Sequence, residues 1–275
     1  MTYHRISILG CGWLGFPLGI RLLEQDHFVR GSTTTKDKIP LLEESGIEPY
    51  YLQLDPRISG DDVTSFFHVD TVVLNVPPPR VPDRITVMQQ QADELVSYVN
   101  ASPVRRLVMV SSTGVYAARQ QAADETDPHP PETENGKGLV AMESMLLEGL
   151  KASVVVVRMA GLFGPERNPG RFLSGRRTSG NGGEPVNMIH LEDAIGVIQA
   201  LIEQPEVNGI YNACAREHPT RSEFYRKASE LSGNPPPVFT DEGPRPWKRI
   251  ISEKIRAATG YRFVYDNPID GLQVL

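Results

Sequence analysis

The chain has 275 residues, 40% of them hydrophobic, and a formal net charge of −6 at pH 7. That length and apolar content support one large α/β domain, or a domain with an added lobe. The acidic balance argues against a nucleic-acid partner, which needs a concentrated basic face. The notable basic cluster is Arg171, Arg176 and Arg177, while Arg105–Arg106 reads as a solvated strand start. Cys11 and Cys214 lie far apart and read as reduced thiols of a cytosolic protein. Six scattered histidines show no metal-ligand spacing, so no metal is expected. The first apolar run, Ile6–Leu9, is too short for a signal peptide, and no stretch approaches the roughly 18 apolar residues of a membrane span. The expectation is a soluble, cytoplasmic protein with no membrane partner.

Apolar runs and helical-period segments alternate through the first 160 residues. Arg5–Leu9 reads as a strand and Trp13–Gln25 as a helix opened by glycines. Phe28–Ser32 is a second strand, Lys36–Ser45 a helix ended by Gly46, and Pro49–Leu54 a third strand. Thr71–Val76 is a fourth strand, stopped by Pro77, Pro78 and Pro79, which cannot continue a ladder. Arg84–Asn100 carries Ile85, Met88, Ala92, Leu95, Val96 and Val99 at helical spacing. Arg106–Val110 is a fifth strand, Leu139–Leu150 a helix and Ser153–Arg158 a sixth strand. Strands this apolar, separated by helices, predict a parallel sheet covered on both faces.

After Gly161 the composition changes. Residues 161–186 hold seven glycines and few periodic apolar positions, which suggests a long loop or lid. Leu191–Gln204 resumes as a helix and Gly209–Asn212 as a strand. Helices follow near Ser222–Leu231 and Ser252–Thr259, parted by Pro235–Pro237. The fold class is therefore α/β, a Rossmann-type doubly wound parallel sheet with a small C-terminal lobe. The sheet domain spans 1–160 and is completed by about 187–213. Residues 161–186 and 214–275 form the lid and lobe.

Gly10-Cys11-Gly12-Trp13-Leu14-Gly15 fits G-x-G-x-x-G, between a strand and a helix of the first βαβ unit. In that setting the glycines serve a tight turn, close backbone approach to a pyrophosphate, and close packing of helix on sheet. The helix N-terminus then offers N–H groups and partial positive charge to phosphates. The predicted cofactor contacts are Gly10, Gly12, Trp13, Leu14 and Gly15, with Ser32, Thr33, Thr34 and Lys36 at the end of the second strand. An acidic residue about 20 positions after the glycines would bind the ribose of NAD. Here the segment reads Arg30-Gly31-Ser32-Thr33-Thr34-Thr35-Lys36, without a carboxylate, and favours NADP(H) over NAD(H). The alternative is that Ser32–Thr35 merely caps the next helix.

Four later segments appear in order: Val110-Ser111-Ser112-Thr113-Gly114-Val115-Tyr116, Glu125-Thr126-Asp127-Pro128, Arg158-Met159-Ala160-Gly161-Leu162-Phe163-Gly164-Pro165, and Asn187-Met188-Ile189-His190-Leu191-Glu192-Asp193-Ala194. With the glycine loop and the tail Lys254–Tyr261, nearly the whole chain resembles the extended short-chain dehydrogenase/reductases, the NAD-dependent epimerase/dehydratase family. The resemblance implies that 1–160 is a dinucleotide-binding Rossmann domain, that the C-terminal lobe is a substrate lobe, and that the cofactor is a nicotinamide, with Val76, Pro77, Ser111 and Lys137 added to its contacts. It also implies hydride chemistry by a Ser or Thr, a Tyr and a Lys, the last two spaced Tyr-x-x-x-Lys. The phenol of that set is the proton carrier.

Ser112 takes the hydroxyl position, but the tyrosine and lysine positions fall on Asn135 and Leu139, placed from Glu143. None of the nine tyrosines has lysine four residues later, and none lies between Tyr116 and Tyr211. The sequence thus resembles an atypical member of the family. Tyr116 is the phenol nearest Ser112 in sequence and the other catalytic candidate, against a structural role. Lys137 reads as a ribose or substrate ligand or as a solvated lysine. Arg171 and His190 are the substrate candidates, the arginine for an anionic ligand and the histidine against a packed or capping role. Asp193 reads as an acceptor of backbone bonds near the lid, or as a first-turn acid complementing the helix dipole. The Leu139–Leu150 face is broad and apolar. By resemblance it pairs with Arg84–Asn100 in a homodimer, against a monomer covered by the sheet alone. The expected function is an NAD(P)-dependent oxidoreductase or epimerase-type enzyme acting on a small, anionic metabolite. The alternative is a non-catalytic NAD(P)-binding sensor or regulatory protein.

Overall fold

The computed structural model describes residues 4–240, 242–243 and 245–275. In chain order the first half holds β1 (Arg5–Leu9), α1 (Gly15–Leu23), β2 (Phe28–Thr33), α2 (Ile39–Glu44), β3 (Glu48–Leu54), β4 (Ile58–Gly60), α3 (Val63–Phe66), β5 (Thr71–Leu74), α4 (Arg84–Asn100), β6 (Arg106–Ser112) and β7 (Gln121–Ala123). The second half holds α5 (Glu134–Gly149), β8 (Ser153–Met159), β9 (Gly161–Phe163), β10 (Arg177–Thr178), β11 (Met188–His190), α6 (Leu191–Glu203), β12 (Gly209–Ala213), α7 (Arg221–Leu231), β13 (Val238–Phe239), β14 (Lys248–Ile250), α8 (Glu253–Thr259) and α9 (Pro268–Leu272).

Eight strands form one sheet in the order β12-β8-β6-β5-β1-β2-β3-β4. β1 pairs in parallel with β2 on one side and β5 on the other, and only the short β4 is shown running antiparallel, at the edge beside β3. This is the doubly wound sheet expected from the sequence. Its strands are apolar because both faces are covered. Val154–Val157 of β8 and Val72–Leu74 of β5 are all buried, each such side chain contributing roughly 1.5–3 kcal/mol on leaving water. Order along the sheet reverses at β1, whose neighbours are β2 and β5.

Several boundaries differ from the sequence expectation. α1 starts at Gly15 rather than Trp13, and Pro17, which has no N–H to give, falls in its first turn. The segment expected as one helix over 36–45 is a 3₁₀ turn, Lys36–Lys38, followed by α2, with Pro40 in the first turn of the second piece. α5 begins five residues before the predicted Leu139, where the Thr133 hydroxyl accepts from the Gly136 N–H at 3.0 Å. Gly136 and Gly138 hid this start, since glycine is a poor helix former. Their packing explains them: a Cβ on Gly138 would fall 2.7 Å from the Met88 sulfur, and one on Gly136 2.8 Å from the Gly114 carbonyl.

Arg106 is a correction to the reading of Arg105–Arg106 as a solvated pair. Arg105 is exposed, but Arg106 is 4% exposed. It donates to the Pro205 carbonyl at 2.9 Å and the Val207 carbonyl at 2.8 Å, beyond the end of α6. A buried guanidinium needs acceptors, and carbonyls left over after a helix supply them.

The chain divides into two compact units. One gathers the described residues through Val115, Pro131–Arg158 and Ile198–Ile210. The other gathers Tyr116–Pro130, Met159–Val197 and Tyr211–Leu275. The second unit has its own core, in which Phe163, Val186, Met188, Phe224, Ala228 and Leu272 are buried together. Residues 161–186, expected to lack regular structure, contribute β9 and β10 to it. β9 pairs with β11 and β10 with β13, both in parallel. No helix among the described residues is long and apolar enough to cross a membrane.

Candidate functional site

In open α/β sheets, ligands sit outside the carboxyl ends of the strands where the order reverses. Here that point is the end of β1 beside the end of β5, with Leu9 in register with Leu74. β1 ends and the chain turns at Gly10, whose φ of +101° lies where side chains are rarely tolerated. A Cβ on Gly10 would stand 2.4 Å from the Asn75 carbonyl oxygen, and one on Gly15 2.4 Å from the Gly10 carbonyl oxygen. These two glycines are used by packing, loop on strand and helix on loop. Gly12 differs, because a Cβ there would meet nothing within 4 Å. Its backbone borders open space, so a pyrophosphate can approach closely. The Phe16 N–H already donates to the Gly12 carbonyl at 2.8 Å and Pro17 has none, so what the start of α1 offers such an anion is the partial positive charge of the helix N-terminus.

The loop is held from two sides. The Gly10 N–H donates to the Ser32 hydroxyl at 2.9 Å, and the Cys11 N–H to the Ser32 carbonyl at 2.8 Å. The Asn75 amide donates to the Gly10 carbonyl at 2.9 Å, and its backbone N–H to the Leu9 carbonyl at 2.9 Å. Asn75 was not singled out from the sequence. Its signal was a polar residue between the apolar run of β5 and three prolines. Burial pushes the Cys11 thiol up to about 12, which keeps it neutral and unreactive inside the loop.

Of the residues expected at the ribose, Ser32 is buried and serves the loop, and the Thr33 hydroxyl accepts from the Thr35 N–H at 3.1 Å. Thr34 and Lys36 are exposed, with the Lys36 ammonium 5.2 Å from the Tyr51 ring centroid. Trp13 and Val76 are half-buried, Leu14 is buried, and Pro77 is exposed.

Ser112 closes β6 at the carboxyl end of the same sheet. It is half-buried, and its hydroxyl oxygen accepts from the Gly114 N–H at 3.0 Å. That bond leaves the hydroxyl proton available to a substrate oxygen. Ser111 points the other way: its hydroxyl donates to the Glu143 carboxylate. Arg158 grips the same carboxylate, with an Nη2–Oε2 distance of 2.6 Å, and both ends of the pair are buried. Ser111, Glu143 and Arg158 thereby tie the end of β6 to α5 and β8. Lys137 is exposed and pairs with Glu134 at 2.8 Å; Asn135 is exposed and accepts from Arg84. Leu139 is buried.

The remaining candidates belong to the second unit. The Tyr116 phenol is 4% exposed and donates to the Asn212 side chain at 2.8 Å, a structural commitment. Arg171 is exposed in a 3₁₀ turn. His190 is 5% exposed, its Nδ1 accepts from the Glu192 N–H at 3.2 Å, and burial holds its pKa below the ordinary 6.5. Asp193 is fully buried and accepts from the Val264 and Tyr265 N–H groups and the Tyr261 phenol, so it anchors the tail. No group of metal-ligating residues occurs among the described residues.

No protein-family model matches the sequence. Protein YeeZ of Escherichia coli K12 is 36% identical over 268 residues, covering 96% of this chain and 97% of that protein. Among solved structures, a conserved, functionally unknown protein from Silicibacter pomeroyi superimposes with a TM-score of 0.78 at 26% identity, over 99% of this chain and 98% of the other. A short-chain dehydrogenase/reductase superfamily protein from Agrobacterium tumefaciens with bound NAD gives a TM-score of 0.79 at 18% identity, over 98% and 95%. Another structural neighbour is a UDP-glucuronic acid 4-epimerase from Bacillus cereus in complex with NAD, and at 17% identity it shows the fold alone. With 36% identity across nearly the full length of both chains, this protein belongs to the YeeZ family, built on the fold of the short-chain dehydrogenase/reductases.

Proposed function

We propose that the protein binds a nicotinamide dinucleotide over Gly10, Gly12 and Gly15 and acts as an oxidoreductase or epimerase-type enzyme on a small metabolite, without the usual Tyr/Lys proton relay. The observation that carries the reading is the division of labour in the loop, where packing uses Gly10 and Gly15 while Gly12 borders open space. A bound nicotinamide ring supplies hydride donor and acceptor chemistry. Ser112 holds the reacting oxygen through its uncommitted hydroxyl proton. Leu14, Trp13, Val76, Pro77 and Lys137 complete the cofactor surface in this reading.

NADP(H) is the favoured form. The end of β2 offers the exposed Thr34 and Lys36 and no carboxylate to repel a 2′-phosphate. A protein of the same fold holds NAD, and fluorescence quenching separates the two cofactors. Trp13 lies in the loop, and its emission overlaps nicotinamide absorption, so quenching reports binding directly. NADPH should quench at lower concentration than NADH; the reverse order overturns the cofactor preference. Gly12→Val should abolish quenching by both with the far-UV circular dichroism unchanged, because its side chain enters open space. Quenching that persists in Gly12→Val sinks the site. A non-catalytic sensor remains the competing reading, favoured by the absent relay; cofactor binding without turnover on any of a panel of carbonyl substrates and nucleotide sugars would select it.

A further inference from the structure

Three elements reach the carboxyl end of the sheet near Ser112. β6 ends there, α5 starts there, and α4 starts after the short, proline-rich connection from β5. Their first turns are packed together. A Cβ on Gly136 would press on the Gly114 carbonyl at 2.8 Å, and one on Gly138 would lie 3.7 Å from the Ile85 Cα. Arg84, the first residue of α4, reaches across this junction and donates to the Asn135 side-chain carbonyl in the first turn of α5.

Several arginines of this molecule pair with carboxylates, while others, such as Arg106, bond neutral acceptors. Arg30 pairs with Glu48, Arg158 with Glu143, Arg216 with Glu253 and Arg256 with Asp266. Arg84 bonds a neutral amide instead, and no carboxylate pairs with it among the described residues. A guanidinium has five N–H donors in a rigid fork matched to carboxylate and phosphate. The nearby acids are otherwise engaged: Asp83 accepts from the Thr86 hydroxyl, and Glu134 pairs with Lys137. Two helix N-termini converge on the same place, and both favour negative charge. Asn135 orients the fork without neutralising it.

We infer that Arg84, oriented by Asn135, is an oxyanion receptor beside Ser112, and that the substrate of this site carries a carboxylate or phosphate group which Arg84 binds. The inference rests on the proposed function and deepens it, since it supplies a cation where the sequence lacks the usual relay.

The test uses the full chain at low salt. NADPH or NADH is titrated first by Trp13 quenching, so failure of the cofactor reading appears at that step. Inorganic phosphate and malonate are then titrated separately by calorimetry, with and without cofactor, and the tighter one identifies the oxyanion. Arg84→Gln should weaken the tighter anion by about tenfold or more, the scale of a lost charge-assisted bond, while cofactor affinity stays within about twofold. Asn135→Asp gives the sharper contrast. It places a carboxylate on the guanidinium, so it should weaken the anion similarly while leaving the thermal midpoint unchanged or raised. A clasp between helices with no ligand role predicts no change in anion affinity in either variant. Wild-type affinity for the anion in Arg84→Gln, or no anion binding by the wild type, overturns the inference.

Discussion

At the residue scale, the strongest local commitment is the Ser111–Glu143–Arg158 cluster. Glu143 is 1% exposed and accepts from both partners, so its charge is compensated only while Arg158 remains. Removing one member of a buried pair leaves the other charge stranded at a cost of about 3–5 kcal/mol. Glu143→Ala should therefore lower stability by about that amount in denaturant unfolding, and Glu143→Gln by less, because an amide still accepts from Arg158. Equal, small losses in both would show that the carboxylate charge is not what holds the end of β6. The glycine motif was legible in sequence because its G-x-G-x-x-G spacing lies within six residues between a strand and a helix, although the clash that demands Gly10 comes from distant Asn75. Asn75 was not, because its role depends on β5 lying beside β1, sixty-five residues away in the chain.

At the element scale, boundaries followed local chemistry where caps and periodicity agreed. Arg84–Asn100 came out with both ends in place, since its apolar residues recur at helical spacing. α5 did not, because its first turn is glycine-rich and is held by packing and the Thr133 cap. Thr133→Ala should cost about 1 kcal/mol, read as a lower denaturation midpoint. Short strands such as β7, β9, β11 and β14 escaped the sequence reading because three residues cannot show alternation. They exist because a partner strand elsewhere completes their hydrogen bonds. The tail depends likewise on a distant residue. Asp193 takes three donors from residues 261–265, so Asp193→Asn turns one acceptor into a donor facing an N–H. A buried donor left unmet costs about 1–3 kcal/mol. Amide exchange at Val264 and Tyr265 should accelerate in that variant; unchanged protection would show that the tail is held by packing instead.

At the scale of the whole molecule, three histidines, two buried and one half-buried, set the acid side of stability. His27, His190 and His218 all lie below the ordinary 6.5, chiefly because burial withdraws the cation from water. In each the fold favours the neutral ring, so their contribution is fully present above about 6.5 and is lost as pH falls through the lower folded values. Asp193 acts in the opposite sense: burial raises its carboxyl, and its contribution is lost as pH rises from 3.8 through the raised value. The thermal midpoint should accordingly be lower at pH 5.5 than at pH 7.5. His190→Asn, which keeps an acceptor for the Glu192 N–H, should narrow that difference. A midpoint independent of pH over this range would remove the histidines from the account.

The sequence by itself determined the α/β class, six of the seven sheet strands in the first 160 residues and the glycine loop, because apolar runs, caps and the glycine spacing are set by a few neighbouring residues. Only the tertiary structure decided what each polar group is for. Ser32 could read as a ribose ligand and Arg106 as a solvated cation. The fold instead turned Ser32 onto Gly10 and buried Arg106 among carbonyls about a hundred positions away. A polar side chain is indifferent to its sequence neighbours once burial forces it to find a partner, and that partner is chosen by the packing of distant strands and helices.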